Sequence, residues 1–280
     1  MKKSIWLILP ALAAFMFACE PVTDDKEMGN IATEADLDIT VQSTTPGGNE
    51  IEMINNSRGI ASFWNWGVDS SPRQNVKTVL PFLGDIEVTF TGISAGGIMQ
   101  PVTRTVSITT IDHPVDPTWA LIAGDDPAGK VWTWDTEVAE VYGPGGFGND
   151  KAPAWGGSAL GTEQNGILLS PDDEIVFNLD GGANVINRTA GATETAGSFK
   201  FDMSKKRETG DAKDPYWSIG ELTITGTQML AGVDYYGGST VVSTFDILAL
   251  DEDTMILAYA APGTPWMAWE TCSFWMLKAK

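Results

Sequence analysis

The sequence predicts an all-β protein built from two modules in series. Apolar and polar residues alternate with a period of two in many short segments, which is the pattern of half-buried strands. Gly, Pro and Asn residues separate these segments, and the chain contains 30 Gly and 15 Pro. No segment has a sustained helical period bounded by capping residues. We therefore expect strands and turns throughout the folded part.

The N-terminus has the parts of an export signal. Lys2 and Lys3 precede an apolar run that is too short to remain as a membrane-spanning helix. The segment Phe-Met-Phe-Ala-Cys, which ends at Cys19, resembles a bacterial lipobox. That resemblance implies that residues 1–18 are a lipoprotein signal peptide and that Cys19 carries a lipid after cleavage. The alternative is an ordinary secretory peptide with an incidental cysteine.

The residues after Cys19 bear on localisation. Glu20 and the pair Asp24-Asp25 resemble the acidic surface-export tag of Bacteroidetes lipoproteins, which implies the outer face of the outer membrane. Residues 19–35 are polar and aperiodic, which is typical of a tether. Since the lipid would occupy Cys19, the second cysteine, Cys272, has no partner for an intramolecular disulfide, and we expect it to be buried as a small hydrophobe.

The charge excludes one class of partner. The chain has 37 acidic and 17 basic residues and a formal net charge of −20. Such a protein repels polyanions, so we expect no nucleic-acid partner. A neutral ligand is compatible with this charge. Eleven Trp residues together with the many Gly suggest loop-rich β-structure that presents aromatic faces.

The first module is predicted over residues 36–112. Its segment Ala-Ser-Phe-Trp-Asn-Trp-Gly at 61–67 precedes a polar loop and then Asp-Ile-Glu-Val-Thr-Phe-Thr-Gly at 85–92. This order resembles the PKD family, although Ile86 stands where that family usually has Tyr. The resemblance implies an immunoglobulin-like β-sandwich that acts as a spacer. Trp64 and Trp66 are then expected to pack in the module rather than to bind a ligand.

Two prolines in the segment 113–117 predict a linker to the second module, residues 118–280. The only histidine, His113, lies in this linker and is predicted to be an exposed bystander. The second module is predicted to be a β-sandwich or jelly roll. Its best strands are Glu174–Leu179, Ser198–Met203, Gly220–Thr225, Thr240–Leu250, Met255–Ala261 and Glu270–Lys278, and an acidic turn over 251–254 predicts a hairpin.

Motifs for catalysis and cofactor binding are weak. The glycines of Gly-Pro-Gly-Gly-Phe-Gly at 143–148 fit a dinucleotide pattern, but no helix is predicted to follow, so we interpret them as turn glycines. Asp172 and Glu174 share one face of a strand, and paired carboxylates are what a glycosidase needs. An acidic turn is the simpler interpretation of Asp172-Asp173-Glu174. We predict no catalytic residue, metal site or cofactor, and a glycoside hydrolase that uses Asp172, Asp173 or Glu174 stays the alternative.

Aromatic residues are the strongest indication of a binding function. A sugar ring has an apolar C–H face that stacks on an aromatic ring, while its hydroxyls need nearby Asp, Asn or Glu. The candidate carbohydrate-binding residues are Trp266, Trp269, Trp132, Trp134, Trp155 and Tyr142. Trp266 and Trp269 lie in a Pro-rich loop, and loops carry binding residues more often than strands. The alternative interpretation is that each of these rings packs in the core.

Segments between Gly129 and Gly181 resemble the C-terminal module of Bacteroidetes surface lipoproteins that accompany glycan-uptake systems. The similar segments are Gly-Lys-Val-Trp-Thr-Trp-Asp at 129–135, Gly-Pro-Gly-Gly at 143–146, Pro-Ala-Trp at 153–155 and the strand region 172–181. The resemblance implies a non-catalytic surface protein that binds neutral polysaccharide or oligosaccharide beside a glycan transporter complex. A structural or adhesive surface protein, with all aromatics in the core, is a further alternative.

Overall fold

The computed structural model describes residues 29–280. The predicted signal peptide and Cys19 lie outside the described residues. The prediction of an all-β protein is confirmed: within 29–280 the helical elements are a 3-10 turn, Glu34–Asp36, and one short α-helix, α1 (Thr118–Ala123). No helix in this part of the chain is long and apolar enough to cross a membrane.

Eight strands precede α1. In chain order they are β1 (Ile39–Ser43), β2 (Glu50–Asn55), β3 (Ala61–Asn65), β4 (Ser70–Ser71), β5 (Asn75–Val79), β6 (Gly84–Ser94), β7 (Gly97–Ile98) and β8 (Val102–Ile108). They form a three-stranded sheet, in the order β1-β2-β5, and a five-stranded sheet in which β6 pairs with β3, β7 and β8. Every strand pair is antiparallel.

The two sheets of this first part contribute to one core. Ile51 and Met53 of β2 are fully buried, as are Trp64 of β3 and Phe90 of β6. The rings of Trp64 and Phe90 pack with centroids 4.6 Å apart. The period-two alternation of the sequence produces this arrangement, because alternate residues of each strand point to the same face. Trp64 and Trp66 are both buried, as the sequence predicted.

Thirteen strands follow α1. They are β9 (Lys130–Trp134), β10 (Tyr142–Gly146), β11 (Glu163–Gln164), β12 (Ile167–Leu168), β13 (Glu174–Asn178), β14 (Asn184–Arg188), β15 (Thr195–Asp202), β16 (Arg207–Glu208), β17 (Tyr216–Ser218), β18 (Gly220–Thr225), β19 (Thr244–Leu250), β20 (Thr254–Tyr259) and β21 (Thr271–Ala279). The predicted strand Gly220–Thr225 matches β18, and the predicted hairpin at 251–254 joins β19 to β20.

Eight of these strands close into one barrel-like sheet. The order is β9-β13-β14-β15-β18-β19-β20-β21, and β21 pairs again with β9. β21 is long enough for its last residues to pair with β9 and its first five to pair with β10 along the same edge. The observed sheet therefore differs from the predicted sandwich or jelly roll, which needs two separate sheets. Alternation in the sequence predicts strands but does not specify how the first and last strands pair.

The barrel interior is filled by side chains. Phe177, Phe245, Trp275 and Leu277 are fully buried in the main core cluster. Eight strands leave an interior that side chains can fill completely, so the barrel is a packed core. A second cluster lies against the barrel and contains Phe147, Trp217, Phe274 and the free thiol of Cys272. Burial raises the pKa of Cys272, consistent with its predicted role as a buried hydrophobe.

The connections of this barrel alternate between its two ends, because successive strands are antiparallel neighbours. The turn 179–183 lies at the end that contacts the first part of the chain: the Gly181 backbone N–H donates to the Leu83 carbonyl at 2.9 Å. Beside this contact, the Trp119 ring of α1 packs on Phe82 and Phe201. The opposite end, called here the distal end, carries the loops 147–173, 189–194, 226–243 and 260–270.

Candidate functional site

Exposed apolar side chains of the second part of the chain are concentrated at the distal end. Seven large hydrophobic residues of 118–280 are exposed, and six of them lie on the distal loops. The six are Trp155, Leu168, Tyr236, Val241, Met267 and Trp269. Three are aromatic, with exposed fractions of 37% for Trp155, 63% for Tyr236 and 64% for Trp269. The distal end is therefore the candidate functional site of this part of the chain.

Backbone strain is concentrated on the same loops. Four residues other than glycine have a positive φ in the described part of the chain, namely Asn165, Ala231, Met267 and Trp269, with φ values of 55°, 51°, 54° and 58°. All four lie on the distal loops. Asn165 and Gly166 form the two-residue turn of the β11–β12 hairpin, in which a positive φ at both positions is ordinary. For Ala231, Met267 and Trp269 the conformation is unfavourable, and strain of this kind often occurs at functional sites. The distal end is therefore distinguished by both its surface and its backbone.

Trp269 is held by contacts with the turn that follows β10. Its backbone N–H donates to the Asn149 side-chain oxygen at 3.3 Å. The neighbouring backbone bonds, from Met267 to the Phe147 carbonyl and from Phe147 to the Glu270 carbonyl, fix both sides of the loop at 3.1 and 2.7 Å. An indole atom of Trp269 lies 3.2 Å from where a Cβ on Gly146 would stand. The ring is thus placed before any ligand arrives.

Trp155 is held by the middle of β10. The backbone N–H groups of Ala154 and Trp155 both donate to the Pro144 carbonyl, at 3.0 and 3.1 Å. The loop can approach β10 this closely because glycines line it: a Cβ on Gly143 would lie 2.5 Å from the Gly157 Cα. Gly143, Gly145 and Gly146 are strand residues of β10, so their prediction as turn glycines is wrong. Gly148, with a φ of 81°, lies in a turn as predicted.

Tyr236 is an exposed aromatic that sequence analysis missed. It follows Tyr235, whose backbone N–H donates to the Ser273 hydroxyl at 2.8 Å and whose carbonyl accepts the Asn165 amide at 2.9 Å. The Tyr235 ring is buried and packs edge-on to Tyr236, with centroids 5.3 Å apart. An aromatic pair followed by two glycines, Tyr-Tyr-Gly-Gly at 235–238, was the available signal.

Three of the predicted carbohydrate-binding residues are core residues. Trp132, Trp134 and Tyr142 are fully buried. Each has an internal acceptor: Trp132 donates to the Ile122 carbonyl at 2.8 Å, Trp134 to the Asp173 carboxylate at 2.9 Å, and Tyr142 to the Val233 carbonyl at 2.6 Å. Burial also raises the pKa of Tyr142. A ring without an accessible face cannot stack on a sugar, so the prediction for these three is corrected.

Trp266 has an intermediate position. Its ring is half-buried and packs edge-on to Phe147 at 5.0 Å and to Trp217 at 5.4 Å. The guanidinium of Arg207 lies 5.8 Å from the Trp266 centroid and pairs through Nε with the Asp246 carboxylate at 2.9 Å. Trp266 therefore anchors the loop 260–270 to the barrel wall, whereas Trp269 and Met267 extend outward. Of the predicted rings, Trp269 and Trp155 are the ones at the exposed distal surface.

Two of the predicted acidic candidates, Asp173 and Glu174, are engaged by contacts within the protein. Asp173 is buried, and besides Trp134 it accepts the backbone N–H groups of Ser170 at 2.9 Å and Ala190 at 2.8 Å. Glu174 pairs with Lys280 at 2.6 Å. Asp173 therefore has a structural role. Within residues 29–280 no group of three His, Cys, Asp or Glu side chains is arranged to hold a metal ion.

No known family model matches the chain, and no curated protein matches it significantly.

Proposed function

We propose that this protein is a non-enzymatic, cell-surface lipoprotein that binds neutral polysaccharide through the distal end of its barrel. The observation that carries the proposal is the concentration of exposed aromatic rings on the distal loops, where Ala231, Met267 and Trp269 also have a strained backbone. Aromatic faces suit the C–H faces of sugar rings. Hydrogen bonds also hold the backbones of Trp155 and Trp269, so these two residues lose little conformational entropy when a ligand binds.

The polar groups near the rings suit hydroxyl ligands. The amide side chain of Asn165 lies beside Tyr235 and Tyr236, and that of Asn149 lies beside Trp269. Amides both donate and accept hydrogen bonds, as sugar hydroxyls do. The net charge of −20 favours a neutral ligand over an acidic one.

The proposed attachment orients the distal end away from the membrane. A lipid on Cys19 and the tether 19–35 would lead into residues 36–112, which we propose to be a PKD-like spacer. The barrel contacts this spacer through the turn 179–183, at the end opposite the binding loops. In this arrangement the aromatic rings point toward external polysaccharide, and a glycan transporter in the outer membrane is the proposed recipient.

Affinity electrophoresis tests the proposal with gels that contain β-glucan, mannan, xylan or starch. We expect retardation of the wild-type protein in at least one gel. The triple variant Trp155→Ala, Tyr236→Ala, Trp269→Ala should migrate as it does in a gel without polysaccharide. Phe63→Ala is the matched control, since Phe63 is an exposed aromatic on β3, 41% accessible and far along the chain from the distal loops.

The two alternatives give different outcomes. Release of reducing ends from the same polysaccharides would identify a hydrolase. Unretarded migration of a folded wild-type protein in every gel would favour a structural or adhesive role.

A further inference from the structure

The three exposed aromatic rings are anchored in order along β10. Trp269 lies against Gly146, at the end of the strand. Trp155 is bonded through its backbone to Pro144, in the middle. Tyr236 packs on Tyr235, whose ring lies 5.0 Å from that of Tyr142, at the beginning of the strand. The three anchors therefore follow one another along a single strand, at positions 146, 144 and 142.

The length of β10 determines how far apart these anchors are. A strand rises about 3.3 Å per residue, so the first and last residues of β10 are about 13 Å apart. The three rings are therefore held at separate points along one strand and not around a single point. We infer that Trp269, Trp155 and Tyr236 form one elongated platform, here called the aromatic row, which takes consecutive sugar rings of an extended neutral glycan chain. This inference rests on the proposed function and names its ligand class.

The composition of β10 explains why the row can form. A Cβ on Gly145 would lie 2.7 Å from the Phe274 ring, and one on Gly146 would lie 3.0 Å from the Asn149 Cβ. Larger residues would push the covering loop away from the strand and move Trp155 and Trp269 with it. Ser273, which pairs with Pro144 across the ladder, also accepts the Tyr235 N–H and donates to Asp234 at 2.7 Å. One strand pair therefore fixes the positions of all three anchors.

An elongated platform gives affinity that depends on ligand length. Once one ring of a chain is bound, contacts with the next rings are intramolecular and cost less entropy. A disaccharide can occupy only part of the row. A hexasaccharide can contact all of it and should bind more tightly.

Titration calorimetry with laminari-, cello- and manno-oligosaccharides, from disaccharide to hexasaccharide, tests the inference. We expect affinity to increase with length in at least one series. Tyr236→Ala should weaken hexasaccharide binding roughly five-fold or more, on the scale of one lost stacking contact. The same substitution should weaken disaccharide binding much less, because a short ligand can bind to the other two rings. Tyr236→Phe keeps the ring and should bind as the wild type does.

Two results would overturn the aromatic row. One is equal affinity for the disaccharide and the hexasaccharide, which indicates a site for a single sugar. The other is wild-type hexasaccharide binding by Tyr236→Ala together with loss of binding by Trp269→Ala, which indicates that Trp269 acts alone. In both cases the protein still binds glycan, so the proposed function stands. Absence of binding to every oligosaccharide and polymer would instead contradict both proposals.

Discussion

The indole N–H of Trp134 donates to the carboxylate of Asp173 at 2.9 Å, and both side chains are buried. This bond joins β9 to the segment that leads into β13, the strand with which β9 pairs. It also assigns structural roles to two residues that, from sequence alone, were candidates for sugar stacking and for catalysis.

Asp173→Ala should destabilise the protein by about 3 kcal/mol or more. The substitution leaves the Trp134 indole and the backbone N–H groups of Ser170 and Ala190 without their acceptor, and each buried unpaired donor costs about 1–3 kcal/mol. Urea unfolding measures the change. Asp172→Ala is the control, because Asp172 is exposed one residue away and should change stability little. Equal effects of the two substitutions would contradict the structural role of Asp173.

Trp134→Ala and Trp269→Ala should have opposite consequences. Truncating the fully buried Trp134 should lower the free energy of unfolding by about 3–5 kcal/mol. Truncating Trp269, which is 64% exposed, should leave the melting temperature nearly unchanged. Differential scanning calorimetry compares the two variants. A steep fall in the melting temperature of Trp269→Ala would show that this ring is structural.

Asp246 should make stability depend on pH. Burial raises the pKa of its carboxyl, and the bonds from Arg207 and Ser218 offset only part of that effect. Between the unfolded pKa of about 3.9 and the higher folded pKa, the unfolded chain releases its proton first, so stability falls as pH rises. Asp246→Asn removes this dependence, and its stability relative to the wild type should therefore improve from pH 4 toward pH 7.

Asp251 provides a control with the opposite sign. Backbone hydrogen bonds from Asp253 and Thr254 hold the pKa of its carboxyl below the ordinary value. Its contribution is present above the unfolded pKa and is lost as pH falls through the folded pKa. Asp251→Asn should therefore lose stability relative to the wild type as pH rises. Urea unfolding at several pH values measures both variants, and parallel slopes for the two would contradict the assignment.

Cys19→Ala tests the predicted lipid anchor. The residue lies outside the described part of the chain, so the expectation rests on the lipobox-like segment alone. We expect the variant to move from the membrane fraction to the soluble fraction, because a protein without its lipid has lost the apolar group that holds it at the bilayer. Immunoblotting of the two fractions shows the outcome. Retention of the variant in the membrane fraction would contradict lipid attachment at Cys19.

Sequence alone predicted the strands and the all-β class because side-chain alternation is a local property. It did not predict the closed barrel, since the pairing of β21 with β9 joins segments more than a hundred residues apart. The same limit affects the proposed binding residues. Trp266 and Trp269 lie in the same Pro-rich loop, and only the tertiary contacts show that the first ring is half-buried and the second exposed. Tyr236 was missed because its exposure depends on the burial of Tyr235.

The central claim is that the aromatic rings of the distal end bind glycan. Substitution of Trp269 tests this claim most directly. Trp269→Ala should weaken binding to the polysaccharide that retards the wild-type protein by roughly five-fold to a hundred-fold, the range expected for one stacked aromatic ring. Its melting temperature should match that of the wild type, and Phe63→Ala should bind normally. Wild-type affinity of a folded Trp269→Ala variant would contradict the account.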